Sequence, residues 1–339
     1  MEKNEVYQLA KIGIFQNNPL DGNIVETNIS WVILTKKFAF KLKKPIKLSF
    51  LDYSSLEKRK KNCERELMLN RRYSSIYLEV VPIRIFENSW YLGVGPGEII
   101  DYAVCMRKLR NSMKMDEMLR NNEVNRADIQ RLASLLAKFH KEAKVVRASF
   151  ELSKAKNIFN DLETIHKIAQ DELGLEIGRK IKESIAWSDT FLEKHVQRFQ
   201  ERISEGWTRD LHGDLHSGNI FLYQDPVIFD CIEFNDSFRQ IDILYEIAFL
   251  CMDLEHFGRP DLSGDLLHFY QGLLSCFIKE EDRELFNYFK ALRANVRAKV
   301  FFLNALSDTD QVSRISHVKI AKSYMNLLFE YQKISRINP

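Results

Sequence analysis

Residues 211–231 read LHGDLHSGNIFLYQDPVIFDC and constrain the chain more than any other stretch. Asp214, Asn219 and Asp230 stand between short apolar runs, with His212, Gly213, His216 and Gly218 around the first two. Residues 220–222 and 227–229 predict two short strands joined by the turn-rich Tyr223-Gln224-Asp225-Pro226. Such a hairpin returns Asp230 to the loop that carries Asp214 and Asn219. One carboxylate to orient a hydroxyl, with an amide and a second carboxylate for a divalent ion, is the set that phosphoryl transfer requires of a protein.

The chain around this loop is of an ordinary globular kind. Its 339 residues suffice for two domains, and 45% hydrophobic with 29% charged residues excludes a disordered chain. The five cysteines (63, 105, 231, 251, 276) form no Cys-x-x-Cys pair, which speaks against a zinc site or a disulfide framework and for a reducing cytoplasm. The N-terminal stretch lacks the apolar core of a signal peptide, and no run of roughly 18 apolar residues predicts a membrane span. Residues 1–110 hold 19 Lys/Arg against 12 Asp/Glu, a basic balance suited to an anionic ligand, although a solvated surface explains it as well.

The opening part reads as strands with one long helix. Strands are predicted at 24–25, 31–34 and 38–42, at 80–86 and 90–94 around Asn88-Ser89, and at 101–109. In 38–43, alternation puts Ala39, Lys41 and Lys43 on one face and Phe40 and Leu42 on the other. A small residue two positions before a lysine leaves room for a flat ligand whose phosphates the ammonium reaches; Lys43 or Lys44 takes that place if a bulge shifts the register. A helix is predicted from Ser54, with Glu57 completing a capping box, to about Tyr73. Its basic run 58–61 lacks interleaved aromatic residues, so nucleic acid is not expected as a partner. After 109, helical periodicity dominates. Leu132, Leu135, Leu136 and Phe139 form one stripe behind Asn125 and Asp128, and further helices are predicted at 149–170, 175–203, 241–257, 262–277, 281–305 and 313–335. Domains 1–109 and 110–339 follow.

Residues 212–219, HGDLHSGN, resemble the catalytic loop of aminoglycoside-phosphotransferase-like kinases, small-molecule relatives of the protein kinases, and Phe229-Asp230 resembles their metal-binding segment. Residues 229–234 with Asp242 are also similar to the Asp-x-x-Glu…Asp pattern of choline kinases. The phrases at 29–32, 41–45, 69–72, 209–212 and 248–254 resemble a mostly uncharacterised bacterial subfamily over about 24–330. The resemblance implies an α+β, protein-kinase-like two-lobe fold: a small, mostly antiparallel β-sheet lobe with one long helix, and a larger, mainly helical lobe. Residues 1–109 become a nucleotide-binding lobe and 110–339 the lobe with the catalytic loop and acceptor pocket.

The same resemblance implies roles. Asp214 orients or deprotonates the attacking hydroxyl, and Asn219 and Asp230 hold Mg²⁺ on the phosphates of ATP. Lys41 contacts the α- and β-phosphates and pairs with Glu66, or with Glu64. Backbone groups of Cys105, Met106 and Arg107 bind adenine, and Met106 or a neighbour lines its pocket. His212 orders the loop, His216 divides evenly between function and loop structure, and Asp242 caps a helix or braces the loop. Glu233 divides between binding a second ion or substrate and a surface role. No Gly-x-Gly-x-x-Gly loop occurs, so the turn 26–30, with Thr27 and Ser30, has to cover the phosphates. The implied activity is an ATP- and Mg²⁺-dependent transfer of phosphate to a small hydroxylated acceptor, a sugar, amino sugar or aminoalcohol. Protein hydroxyls as acceptors, or a pseudokinase serving as an interaction module, are the alternatives.

Overall fold

A computed structural model describes residues 1–337; positions 338 and 339, the end of the second predicted domain, lie outside the described residues. The chain opens with helix α1 (Lys3–Ile12) and the short strands β1 (Ile14–Phe15), β2 (Asn18–Pro19) and β3 (Asn23–Glu26). Strands β4 (Ser30–Leu34) and β5 (Phe38–Lys43) precede helix α2 (Leu56–Asn70), and β6 (Tyr77–Phe86), β7 (Ser89–Leu92) and β8 (Glu98–Arg107) complete one sheet. Its strand order is β2-β1-β7-β6-β8-β5-β4-β3, antiparallel throughout except where β1 runs parallel to β7.

Alternation along β5 sorts its residues as expected. Phe40 and Leu42 enter one core with Trp31, Ile33, Ile83 and Leu92, against Val6 and Leu9 of α1. Ala39 enters a second core with Val104, Met106, Tyr77 and Cys63 of α2. Two local expectations shift by one residue. Helix α2 is capped by Ser55, which accepts from the Lys58 N–H, while Ser54 bonds to Asp52. The β6–β7 turn is Glu87-Asn88, both at positive φ, the left-handed geometry that matches strand twist in a two-residue hairpin. Gly97 also needs that region: at φ +90° a Cβ there would lie 2.0 Å from the Ile85 carbonyl oxygen.

The remaining elements are α3 (Met115–Arg120), α4 (Arg126–Glu142), α5 (Leu152–Asn160), α6 (His166–Leu173), α7 (Leu175–Ser204), β9 (Thr208–Asp210), β10 (Ile220–Phe221), β11 (Val227–Ile228), β12 (Gln240–Asp242), α8 (Ile243–His256), α9 (Pro260–Leu273), α10 (Glu281–Ser307) and α11 (Gln311–Ile337). The predicted 149–170 helix is broken by a 3₁₀ turn at Asp161–Ile165. Helix α4 carries the predicted capping box of Asn125 and Asp128. Its buried face runs through Ile129, Leu132, Ala133, Leu136, Ala137 and His140, so Leu135 and Phe139 sit at its margin, not at its centre. Besides the hairpin in 211–231, β9 and β12 pair antiparallel, a contact between segments thirty residues apart that local patterning does not signal.

By contacts the chain forms two units, Met1–Met118 with Gly218–Arg239, and Leu119–Ser217 with Gln240 onward. The excursion 218–239 belongs to the sheet unit through its own bonds. The Leu222 N–H donates to the Met113 carbonyl (2.8 Å), Lys114 bridges Phe221, and the Arg110 N–H donates to the Tyr223 hydroxyl (3.0 Å). In the second unit α8 is buried on nearly every side between α9 and α10, which makes it the central helix there. Among the described residues no helix is long and apolar enough to cross a membrane.

Candidate active site

In the sheet unit, Lys41 and Lys43 emerge from the same face of β5, two residues apart. Glu66 of α2, fully buried, takes both ammonium groups. Lys41 Nζ lies 2.9 Å from Glu66 Oε1 as an ion pair, and Lys43 Nζ bonds Oε2. Lys41 also bonds Asp230 Oδ1, and Lys43 bonds Glu233. A line of alternating charge results, Asp230–Lys41–Glu66–Lys43–Glu233, closed by the Tyr53 hydroxyl donating to Glu233 Oε1 at 2.8 Å. Burial works to raise the Glu66 pKa, but the two lysines outweigh it and hold it at about 2. For Lys41, burial lowers the pKa and the Asp230 and Glu66 carboxylates more than reverse it, leaving the group charged well above its ordinary range.

The register carries no bulge along β5, and Lys44 points away to Glu26 (2.7 Å), so Lys41 is the lysine of this cluster that keeps some exposure, 10% of its side chain. Glu64 is exposed and lies 3.9 Å from Lys60, which leaves Glu66 as the partner of Lys41.

Asp230 has φ +64°, a strained conformation for a residue with a side chain. It is held there from both sides. Its N–H donates to the Tyr77 hydroxyl (2.9 Å), and the Cys231 N–H donates to Asn70 Oδ1 (2.8 Å). Its carboxylate is 41% exposed. Asn219 stands across the same β10–β11 hairpin, where its carbonyl accepts the Phe229 N–H at 3.1 Å.

The other sequence-predicted residues of this unit fall in different places. Thr27 and Ser30 close the β3–β4 turn. The Thr27 hydroxyl donates to the Ser30 carbonyl (3.1 Å) and accepts the Ser30 N–H (3.0 Å), whereas Ser30 Oγ is buried with no hydrogen-bond partner among the described residues. Met106 pairs with Ala39 and shares its core, while the Cys105 side chain lies in the opposite core. β8 is an interior strand, and the Arg107 N–H donates to the Ile76 carbonyl at 2.9 Å.

In the helical unit, the loop around Asp214 hangs on two acidic residues of α8. Glu246 accepts the N–H groups of His212 (3.0 Å) and Gly213 (2.7 Å) and lies 3.3 Å from His140 Nε2, and Asp253 accepts the Ser217 N–H at 2.8 Å. His212 is buried and its Nδ1 faces the Asp214 N–H at 3.3 Å, a loop-ordering position. Arg293 of α10 donates to the Gly213 carbonyl (2.9 Å), its guanidinium 3.9 Å from the Tyr245 ring and 4.4 Å from that of Phe249. The Asp214 carboxylate is 41% exposed, with His216 Nε2 3.5 Å away. Burial pushes its pKa up, but His216, Arg297 and Arg293 more than offset that and hold it below the usual carboxylate range. Asp242 caps α8 through the Leu244 N–H (2.8 Å) and takes Arg202 in a two-pronged bond.

Sequence reading missed Glu246 and the roles of Asp253 and Arg293. The first two had a signal: acids inside a helix that is otherwise apolar on every face need buried partners. Glu233 is neither at the surface nor free, being 3% exposed and bonded to Lys43 and Tyr53.

The phosphotransferase enzyme family model matches residues 115–285, half of the chain. The chain belongs to this family. Uncharacterised proteins of Mycobacterium tuberculosis and Mycobacterium bovis are 31% identical over 284 residues, 82% of this chain and 54% of theirs. The chain thus spans about half the length of the curated relatives it matches. Among solved structures, a choline kinase from Cryptosporidium parvum Iowa II matches with a TM-score of 0.55 at 11% identity, covering 98% of this chain and 96% of that one. A choline/ethanolamine kinase family protein from Mesorhizobium loti matches with a TM-score of 0.51 at 12% identity over the full length of both. These likenesses show the fold, an α+β protein-kinase-like one with a small, mostly antiparallel sheet unit and a larger helical unit.

Proposed function

We propose that this family member is a small-molecule kinase, moving the γ-phosphate of ATP, with Mg²⁺, to a hydroxyl of a sugar, amino sugar or aminoalcohol. The observation that carries it is the Asp230–Lys41–Glu66 cluster: a lysine paired with a buried glutamate, beside a half-exposed carboxylate, the arrangement a phosphate-reading lysine needs. Lys41 contacts the α- and β-phosphates. Adenine lies against the Ala39 and Met106 face, beside the backbone of 105–107, and the Thr27–Ser30 turn covers the phosphates.

Asn219 and Asp230 fit a magnesium ion, since both offer hard oxygens from one end of a short hairpin. Magnesium takes few protein ligands and completes its shell with phosphate and water. When bound, it neutralises phosphate charge. Asp214, kept ionised by its surroundings, accepts a hydrogen bond from the acceptor hydroxyl and aims its lone pair at the γ-phosphorus. In this account, 1–109 supply the nucleotide lobe and 110–339 the catalytic loop and the acceptor pocket.

The test is ATP turnover by Asp214→Asn and Asp230→Ala, each checked for folding by circular dichroism. Both lose turnover; full turnover in either refutes the assignment. Label from [γ-³²P]ATP, fractionated after incubation with cell extract, separates metabolite from protein acceptors.

A further inference from the structure

Lys43 has no exposed surface, so its ammonium cannot touch a ligand, although it shares a strand face with Lys41. It joins Glu66 of α2 to Glu233, three residues beyond Asp230. Tyr53, itself fully buried, donates to the same Glu233 oxygen at 2.8 Å and lays its ring 5.2 Å from Lys43 Nζ. The next carbonyl back, that of Ile232, accepts from Arg239 at 2.9 Å. Segment 230–233 is therefore tied down at successive residues, by Tyr77, Asn70, Arg239 and the Lys43–Tyr53 pair. The strained φ of Asp230 gives those ties a task, because a relaxed backbone would swing its carboxylate elsewhere.

We infer that Lys43 and Tyr53 clamp Glu233 and thereby set the direction of the Asp230 carboxylate toward Mg²⁺, Glu233 being a positioning residue and not a ligand of the ion, an inference resting on the phosphotransfer function proposed above. Partners behind a metal ligand typically change metal affinity by about 10- to 100-fold when removed. The opposite assignment, Glu233 as a second ligand, predicts the opposite sign. Lys43 and Tyr53 would then compete with the ion for Glu233, and removing either would tighten the metal.

The experiment titrates Mg²⁺ into the full chain with a fluorescent ATP analogue and reads the Mg²⁺ midpoint from anisotropy, for the unaltered protein, Lys43→Met and Tyr53→Phe. The midpoint rises about tenfold in Lys43→Met and about threefold in Tyr53→Phe, which deletes one hydrogen bond. Metal-free nucleotide affinity stays within about twofold in Tyr53→Phe, since that hydroxyl bonds Glu233 and neither Lys41 nor Glu66. Should Lys43→Met fail to fold, Tyr53→Phe, which keeps every charge, carries the test alone. An unmoved or lowered midpoint in a folded variant overturns the clamp, as does an equal loss of metal-free affinity. If the unaltered protein binds nucleotide with no Mg²⁺ dependence, or not at all, the phosphotransfer function falls and the clamp with it. Mg²⁺-dependent binding with an unmoved Tyr53→Phe midpoint overturns the clamp alone.

Discussion

Glu246→Gln removes the charge that holds the Asp214 loop from behind. The carboxylate is 1% exposed and accepts two backbone N–H groups, His212 at 3.0 Å and Gly213 at 2.7 Å, with His140 Nε2 at 3.3 Å. Hydrogen bonds to a charged group contribute about 1.5–3 kcal/mol and neutral ones about 0.5–1.5, so neutralising the acceptor weakens each backbone bond by about 1 kcal/mol. The amide also turns an –NH₂ toward one of the two N–H groups, adding an unmet buried donor of about 1–3 kcal/mol. The sum is about 3–5 kcal/mol, or a fall in melting temperature on the order of 10 °C for a unit of this size. Calorimetry at pH 7 reads it directly, and a change under about 2 °C refutes the bracing role.

The pH dependence gives a second check on the same residue. Burial opposes ionisation of Glu246, but His140 and the His212 backbone outweigh it and keep the pKa below its ordinary value of 4.5. A depressed carboxylate stabilises fully above the unfolded pKa, and that contribution is lost as pH falls through the folded one. The gap between the unaltered protein and Glu246→Gln is therefore full at pH 7 and closes as pH falls from 4.5 through the lower folded pKa. A gap that stays constant or widens on acidification contradicts the account.

Other changes have equally definite outcomes. If Lys41 reads phosphate as proposed, Lys41→Met weakens ATP binding about tenfold while adenosine binding is unchanged, by displacement of a fluorescent nucleotide. Asp242→Ala strips the α8 cap and one partner of Arg202, which is 1% exposed, and costs about 3 kcal/mol in urea unfolding. Gly97→Ala costs at least about 1 kcal/mol by the same assay, since its φ of +90° excludes a Cβ. All five cysteines are free and buried, and burial pushes the thiols of Cys63, Cys105, Cys251 and Cys276 up to about 12. A thiol reagent thus labels the native protein slowly and reaches five groups in denaturant.

What the sequence disclosed is what neighbouring residues decide. Two-residue alternation in 38–43 correctly sorts Phe40 and Leu42 from Ala39 and Lys41, because a pleated strand leaves no other choice. The break at 161–165 and the rotated face of α4 escape such reading, since the packing of neighbours selects which apolar residues a helix buries. At the site, Lys41, Glu66 and Asp230 are each legible from motif and element, and the fold brings them into one ion-paired cluster. The tie from Lys43 to Glu233 spans 190 residues, and no local pattern announces it. Glu246 and Asp253 lie between these cases: the acids in an apolar helix are visible, but the backbone N–H groups they serve are not.

The phosphotransfer account is tested most directly by following [γ-³²P]ATP with the purified chain and a metabolite extract, with and without Mg²⁺. It predicts Mg²⁺-dependent transfer of label into the small-molecule fraction, abolished in Asp214→Asn and in Asp230→Ala while both variants melt as cooperatively as the unaltered protein. Transfer that persists in either folded variant, or nucleotide binding with no transfer to any acceptor, contradicts it.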